Sequence, residues 1–380
     1  MINDNTGAQH ALQFHIGHMP IIIDSHEDLA CNMMRFHRDY TLPVAETRRR
    51  ESGTPIPTLN FGEALLGWPE YQAGRVAVIF ATLFAPPKRY EKDPQFSQAY
   101  LTVDQAHDTY HRQLDTYEQL FDQHPDKFRL IHDRSSLMQV IDGWKNNTPD
   151  ESGLPVGLVL LMEGAEGIRT PDEVEFWREN GVRLLGPAWA GNQYCGGTKE
   201  PGPLTTPGKQ LLARMDELGF TLDISHMDEQ SVFQAFDQYQ GPIIASHANA
   251  RALLQGDSNR FLSDSVIHEL IARQGVIGIV PYNHFLVWEW TYPEDKTAVT
   301  LDAVVAQIDH ICQLAGDALH VGIGSDFDGG FGMQSTPAEI DTIADLQKLV
   351  PLLLSKGFTN RDVENIMGEN WFHQLERSLS

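Results

Sequence analysis

The chain has 380 residues, of which 41% are hydrophobic and 21% charged, and its formal net charge at pH 7 is −24. The hydrophobic and charged fractions are typical of a soluble globular protein. The acidic charge argues against nucleic acid and anionic membrane surfaces as partners, because both are bound through basic patches. We therefore expect neither a nucleic-acid partner nor a membrane partner.

The start of the chain lacks a basic stretch followed by an apolar run, so no signal peptide is predicted. No segment approaches the ~20 consecutive apolar residues of a membrane-spanning helix. Three cysteines, Cys31, Cys195 and Cys312, are too few and too scattered for a disulfide framework. The simplest expected location is the cytoplasm.

Eight apolar runs have the length and the Val and Ile content of β-strands. They cover residues 20–24, 75–84, 156–162, 182–187, 220–225, 242–246, 275–281 and 320–325. Continuous apolar runs of this kind suit strands that are buried on both faces of a parallel sheet. Three further segments are predicted to be loops: 41–60, 85–97 and 190–208.

Helical patterns lie between most of these strands, as expected when parallel strands alternate with crossover helices. They cover residues 98–123, 134–144, 171–180, 207–218, 228–238, 263–273 and 301–315, and two more helices, 337–354 and about 360–378, follow the last strand. The alternation predicts an α/β fold.

Five of the eight runs end in groups that can bind a metal or carry a proton. His26 and Asp28 follow the first run two residues apart, so both side chains can point at one spot from the end of a strand. The later runs end in Glu163, His226, His247 and Asp326. The carboxyl ends of parallel strands are where α/β folds place their chemistry.

Eight alternating strands are compatible with a closed (β/α)8 barrel and with a doubly wound open sheet. Residues that end the first, third, fifth, sixth and eighth strands can converge only if the sheet closes into a ring. We therefore predict a (β/α)8 TIM barrel. It is predicted to be a single domain over residues 1–380, with a short N-terminal extension over about residues 1–19.

Three imidazoles and two carboxylates are a suitable ligand set for zinc or a similar divalent metal. His26 and Asp28 could hold one ion. His226 and His247 could hold a second, and Glu163 would offer one oxygen to each. Two metals ~3.5–4 Å apart trap a bridging hydroxide and polarise a carbonyl or phosphoryl oxygen. We therefore expect two zinc ions, or two ions of another divalent metal, per chain.

Asp326 is the carboxylate left over by this ligand set. It is placed to take a proton from the bridging water and deliver it to a leaving group. Other interpretations of single residues stay open, since Asp326 could cap a turn and Glu163 could pair with nearby Arg169. The coincidence of six such residues at strand ends favours the two-metal site.

Several segments resemble the motifs of the membrane (renal) dipeptidase family, peptidase family M19, of the amidohydrolase superfamily. They read IIIDSHEDLA, LLMEGAEGI, PLTTPGKQLLARMDELGFTLDISH, IIASHANAR and GIGSDFDGG, and the resemblance extends to the C-terminal IMGENWFHQLE. The resemblance implies a TIM barrel of the metal-dependent hydrolase type. It also implies that His26, Asp28 and Glu163 bind one zinc, that Glu163, His226 and His247 bind the other, and that Asp326 is the acid/base residue.

The resemblance also implies residues that bind substrate. Arg260 matches an arginine that holds the terminal carboxylate of the substrate, although an ordinary surface salt bridge is an equal alternative, and Tyr282 matches a tyrosine of the substrate pocket. One position departs from the family, because Trp189 stands where a histidine usually contacts the substrate carbonyl. Asn192, Gln193 or Tyr194 could supply a hydrogen-bond donor instead.

We therefore predict a zinc-dependent hydrolase, resembling dipeptidases, that cleaves the amide bond of a dipeptide or a similar small amide. A metal-bridging hydroxide would attack the carbonyl, with Asp326 as the acid/base. One alternative is an amidohydrolase that acts on a non-dipeptide acyl-amino acid or a lactam, which Trp189 keeps open. The second is a non-catalytic metal-binding barrel, against which the complete ligand set argues. The resemblance also allows a homodimer.

Overall fold

The computed structural model describes residues 19–59, 61–91, 94, 97–147, 153–254, 256 and 258–379. The predicted N-terminal extension, about residues 1–19, therefore lies outside the described residues except for Met19. The predicted extent of the domain, residues 1–380, stays a prediction.

Within the described residues, nine strands form a single sheet. They are β1 (Ile22–Glu27), β2 (Val76–Leu83), β3 (Phe128–Leu130), β4 (Val156–Glu163), β5 (Val182–Gly186), β6 (Thr221–Asp223), β7 (Ile243–Ile244), β8 (Ile277–Ile279) and β9 (Val321–Ile323). Every residue of β1, β2 and β4 is buried, as their continuous apolar sequences predict. All eight predicted strands are present. The additional β3 was missed because three residues with an exposed arginine at the centre carry no recognisable pattern.

Eight of the strands close into a parallel barrel. Neighbours follow the order β8, β9, β1, β2, β4, β5, β6, β7, and β3 pairs only with β4 outside this path. The ring closes where Ala245, just after β7, pairs in parallel with Ile277 of β8. There the Gly278 N–H donates to the Ala245 carbonyl at 2.8 Å. The predicted (β/α)8 barrel is therefore confirmed.

The helices surround this barrel. They are α1 (Leu29–Phe36), α2 (Val44–Glu51), α3 (Trp68–Gly74), α4 (Val103–Gln123), α5 (Arg134–Asn146), α6 (Val174–Glu179), α7 (Thr206–Glu217), α8 (Glu229–Gln238), α9 (Asp264–Ala272), α10 (Asn283–Leu286), α11 (Leu301–Ala315), α12 (Leu349–Lys356), α13 (Asn360–Glu364) and α14 (Asn370–Ser378). None of the described helices combines the length and the apolar content that crossing a bilayer requires.

The loop predicted over residues 41–60 is wrong in its middle, where α2 forms. The sequence of α2, VAETRRRE, has almost no apolar periodicity, so it gave no helical signal. The helix is supported instead by ion pairs along one face, from Glu46 to Arg49 and Arg50. The helix also buries Val44 and Thr47.

The barrel interior is very tight beneath the carboxyl ends of β1, β7, β8 and β9. The Ser25 hydroxyl of β1 donates to the Ser246 carbonyl at 2.5 Å and to the Ile323 carbonyl at 2.8 Å. A Cβ atom on Gly278 or Gly324 would lie within about 2.0 Å of the same Ser246 carbonyl, so only glycine permits this approach. This packed layer forms the floor on which the residues at the strand ends sit.

Candidate metal centre

Glu163, at the end of β4, lies between histidines from three other strands. Its Oε1 is 3.0 Å from His226 Nε2 and 3.4 Å from His247 Nε2. Its Oε2 is 3.5 Å from His26 Nε2. The two oxygens of one carboxylate therefore face different imidazoles.

A second group of potential ligands shares His26. Single ligand atoms from His26, Asp28 and Asp326 all lie within 4.8 Å of one another, as do those from His26, Glu163 and His247. His26 Nε2 is 3.8 Å from Asp326 Oδ1. The structure thus brings together all six side chains that were predicted from the strand ends. It places Asp326 close enough to the others for either a ligand or a proton carrier, and its assignment as acid/base stays a prediction.

Hydrogen bonds orient two of the imidazoles toward Glu163. The Ser246 hydroxyl donates to Asp223 Oδ2 at 2.5 Å and lies 2.8 Å from His247 Nδ1. Because its proton is used on Asp223, this hydroxyl accepts from Nδ1–H, so His247 Nε2, which lies 2.9 Å from His226 Nε2, carries the lone pair that a metal could take. Thr198 Oγ1 lies 2.8 Å from His226 Nδ1 in an equivalent position.

Buried carboxylates inside the strands support the ligands from behind. Asp223 accepts hydrogen bonds from the backbone N–H of Ser225 at 3.1 Å and of Ser246 at 3.0 Å, so it joins the ends of β6 and β7. Asp24 accepts from the Ser325 N–H at 2.7 Å and joins β1 to β9. Sequence analysis missed these supports, although a lone carboxylate within an apolar strand was a usable signal.

The surroundings of His26 show whether these residues are suited to binding a cation. Both ring nitrogens of His26 are buried, and neither has a hydrogen-bond partner among the described residues. Three carboxylates, those of Asp28, Glu163 and Asp326, surround the same space. Buried like charges are costly without a counter-charge, and buried ring nitrogens are costly without a partner. Divalent cations would satisfy both requirements, so the residues present fit a metal centre.

The pKa values in the half of the centre around His26 are raised. Burial lowers the pKa of His26, but nearby carboxylates, Glu163 first, outweigh burial and raise this pKa to about 9. Burial, and then the charge of Glu163, raises the pKa of Asp28 to about 7. Burial also raises the pKa of Asp326 well above its usual range. Without a cation, bound protons therefore balance the negative charge of the carboxylates in this half of the centre.

The other half has lowered pKa values. Burial, and then the charge of Arg260, lowers the pKa of His226 to about 4. Burial, and then the charge of His26, lowers the pKa of His247 well below its usual range. Burial acts to raise the pKa of Glu163, but the charge of His26, together with the neighbouring His226 and His247, holds it well below its usual range. Near pH 7 this half is therefore two neutral imidazoles and one carboxylate, the forms that bind metals.

The structure decides between the alternative interpretations of Glu163 and of Arg260. Arg169 pairs with Glu173 on the surface and not with Glu163. Arg260 is only 5% exposed, so it does not form an ordinary surface salt bridge. Its Nη1 donates to the Ser225 carbonyl at 3.0 Å and its Nη2 to the His247 carbonyl at 2.7 Å. The guanidinium therefore lies directly behind the backbone that carries His226 and His247.

The remaining predicted substrate residues lie at the barrel mouth. The Tyr282 ring stacks on Phe331 with centroids 4.4 Å apart. The Trp189 ring lies 5.8 Å from the ring of His226, next to the metal centre. The Asn192 amide is bonded within its own loop, since Nδ2 donates to the Pro187 carbonyl at 2.9 Å and Oδ1 accepts from the Tyr194 N–H at 2.8 Å. Its substrate contact stays a prediction.

Comparison with known proteins gives a family match over nearly the whole chain. The family model described as membrane dipeptidase (peptidase family M19) matches residues 12–377. An uncharacterized protein in the pqqA 5' region of Klebsiella pneumoniae is 28% identical over 231 residues, which cover 58% of this chain and 82% of that protein. The dipeptidase tcpJ of Claviceps purpurea is 26% identical over 308 residues, which cover 78% of this chain and 65% of that protein.

Solved structures share the fold. A metallopeptidase from Rhodobacter sphaeroides, crystallised with a phosphinate mimic of the dipeptide L-Ala-D-Ala, has a TM-score of 0.75 and 22% identity, covering 95% of this chain and 100% of that one. The probable dipeptidase PvdM from Pseudomonas aeruginosa also has a TM-score of 0.75, with 18% identity, covering 95% of this chain and 96% of that one. At these identities the similarity establishes the barrel architecture.

Proposed function

Since the chain belongs to the membrane dipeptidase family, peptidase family M19, we propose that it is a hydrolase with two divalent metal ions, most simply zinc, that cleaves a dipeptide or a similar small amide. The observation that carries this proposal is the position of Glu163, whose two oxygens face different histidines at 3.0 and 3.5 Å. A carboxylate so placed can serve two ions at once.

The proposed ligand sets of the two ions are those that the family resemblance implies. His26, Asp28 and Glu163 would hold one ion. Glu163, His226 and His247 would hold the other. When bound, the metals would polarise the scissile carbonyl and lower the pKa of the attacking water.

Asp326 would accept the proton of the attacking water and deliver it to the leaving amine. One observation supports this role. Asp326 borders the centre, with Oδ1 at 3.8 Å from His26 Nε2.

Arg260 would bind the terminal carboxylate of the substrate. A guanidinium has five N–H donors, and the two bonds to backbone carbonyls leave donors for a ligand. Because Arg260 is buried, a carboxylate that reached it would be bound in a weakly screened environment. Tyr282, stacked on Phe331, would line the same side of the site.

A second candidate function remains, the hydrolysis of a non-dipeptide acyl-amino acid or a lactam. The observation that favours it is Trp189, whose indole stands beside His226 where a titratable imidazole is usual in this family. An indole N–H donates a hydrogen bond but carries no charge, and the ring fills far more space.

The test combines metal analysis with a substrate panel. We expect the purified protein, reconstituted with zinc, to hold about two equivalents, and Glu163→Gln to weaken both sites. Glu217→Gln, at an exposed position of α7, is the matched control and should retain both ions. Saturation at one equivalent that does not respond to changes at His226 or His247 would rule out the two-metal proposal.

The substrate panel contains L,L-dipeptides, L,D-dipeptides, acyl-amino acids and lactams. The L,D-compounds belong in it because the related structure from Rhodobacter sphaeroides holds a mimic of L-Ala-D-Ala. We expect metal-dependent turnover of dipeptides, which disappears on chelation and returns with zinc. Turnover of acyl-amino acids or lactams without turnover of dipeptides would favour the second function, and no turnover by a fully loaded protein would contradict both.

A further inference from the structure

Three partly exposed aromatic side chains form one surface at the barrel mouth, beside the metal centre. The Trp189 ring contacts Phe84 at 5.6 Å and Tyr90 at 5.8 Å between centroids, and it also lies 5.8 Å from His226. We call Phe84, Tyr90 and Trp189 the aromatic wall. Sequence analysis did not connect these residues, because Phe84 and Tyr90 follow β2 whereas Trp189 follows β5.

Each residue of the wall is held from behind by polar contacts. Gln113, fully buried on α4, accepts from the Phe84 N–H at 2.7 Å and donates to the Phe84 carbonyl at 2.6 Å. The Tyr90 hydroxyl donates to Glu200 at 3.0 Å. The backbone N–H of Trp189 donates to buried Glu166 at 3.1 Å. The wall is thus a preorganised surface, which lowers the entropic cost of binding a ligand on it.

The wall and the predicted carboxylate-binding residue lie over different strands of the barrel. The wall follows β2 and β5, which lie on either side of β4. The Arg260 guanidinium instead bonds the Ser225 and His247 carbonyls at the ends of β6 and β7. A substrate that is held by Arg260 and reaches over Glu163, at the end of β4, would place its other end at the wall.

We propose that the aromatic wall binds an aromatic or other large flat apolar group on the acyl side of the scissile amide. This proposal rests on the proposed function, in which Arg260 holds the carboxylate of the leaving residue. Aromatic rings exposed beside a catalytic centre mark a ligand surface, and they bind other rings by offset or edge-to-face packing. The wall thereby selects substrates by their acyl group.

The direct test compares substrate pairs that differ only in the acyl residue, phenylalanyl against alanyl, with the same C-terminal residue. We expect the wild-type enzyme to favour the phenylalanyl member in kcat/KM by ~10-fold or more. Trp189→Ala should reduce this ratio to near one, and Tyr90→Leu should reduce it partly. Phe233→Ala, at an exposed aromatic on α8, is the matched control and should leave the ratio unchanged.

A binding measurement shows which of the two proposals is wrong if the kinetic test fails, the ligand preference of the aromatic wall or the hydrolase activity. Calorimetry of the zinc-loaded protein with phosphinate mimics of the two dipeptides measures selectivity without turnover. Preference for the phenylalanyl mimic that Trp189→Ala abolishes, with no hydrolysis of any dipeptide, would support the wall and contradict the function. Dipeptide turnover with equal kcat/KM for both acyl groups, or a Trp189→Ala variant that keeps its metals and the wild-type ratio, would overturn the wall.

Discussion

The metal centre and the aromatic wall lie side by side at the same end of the barrel, yet they are built in different ways. The centre uses side chains at or next to strand ends, and its histidines are buried against hydroxyls and carboxylates. The wall uses side chains on the loops after β2 and β5, which remain partly exposed. This difference is usual in TIM barrels, where residues at the strand ends carry out the chemistry and the loops determine which substrate is bound.

One residue connects the two regions. The Thr198 hydroxyl lies 2.8 Å from His226 Nδ1, and the Thr198 N–H donates to the Trp189 carbonyl at 2.9 Å. The orientation of His226, a proposed metal ligand, and the position of Trp189, a proposed specificity residue, therefore depend on the same loop. Changes to the centre should affect catalysis and metal affinity, whereas changes to the wall should affect the choice of substrate.

The largest effect is expected from Asp326→Asn. Loss of a general acid/base commonly lowers the rate ~10²–10⁴-fold, and we expect kcat to fall by that amount while metal content is retained. Metal analysis and steady-state kinetics of the same preparation measure both quantities. Asp302→Asn, at an exposed position of α11, serves as the control. Loss of metal in parallel with activity would identify Asp326 as a ligand and contradict its role as a proton carrier.

The affinity of the metal-free protein for zinc should rise with pH. The pKa of His26 is raised to about 9 and that of Asp28 to about 7, so both groups hold protons that a metal must displace. Below about pH 9 the affinity should increase about tenfold per pH unit for each proton released, and it should level off above that pH. His226 adds no dependence in this range, because its pKa is lowered to about 4.

Competition with a chromophoric chelator between about pH 6 and 9.5 measures this dependence. The wall variant Trp189→Ala should give the same slope as the wild type, since Trp189 has no titrating group. An affinity that does not change with pH would show that His26 is already neutral in the metal-free protein. That result would remove the contrast between the two halves of the centre.

A smaller effect is expected from Thr198→Val, which keeps the shape of the side chain but removes the hydroxyl beside His226. Removal of such a supporting group typically costs ~10–100-fold in metal affinity or activity. We expect weaker binding of one zinc equivalent and a nearly unchanged second one, measured by competition titration. Thr116→Val on α4 is the matched control. Equal weakening of both equivalents would mean that His226 does not belong to a single ion.

The same contrast explains how much could be predicted from the sequence. The ligand positions were visible because an ionisable residue that ends an apolar run is a local pattern, and parallel strands bring such ends to one place. The wall was not visible, since Phe84 and Trp189 meet only through the paths of two loops that share no pattern. The supporting Asp223 and Thr198 were also missed, because their partners are distant in the chain or within a loop. The helix at residues 44–51 was missed because ion pairs, and not an apolar face, stabilise it.

The smallest effect, and the most specific test of the wall, is expected from Trp189→His, which introduces the residue type that the family resemblance places at this position. An imidazole here could donate to the developing oxyanion, and such donors are worth ~10²–10³ in rate when their surroundings are complete. The surrounding Phe84 and Tyr90 are placed for an indole, so we expect only about a tenfold gain of kcat/KM on small L,L-dipeptides. The same variant should lose preference for aromatic acyl groups, because a smaller ring covers less of the wall.

Kinetics with alanyl and phenylalanyl substrates measure both changes, and Phe233→His is the control. A wild-type enzyme that already cleaves a broad range of L,L-dipeptides efficiently, and a variant with an unchanged substrate ratio, would show that Trp189 has no role in selecting the substrate.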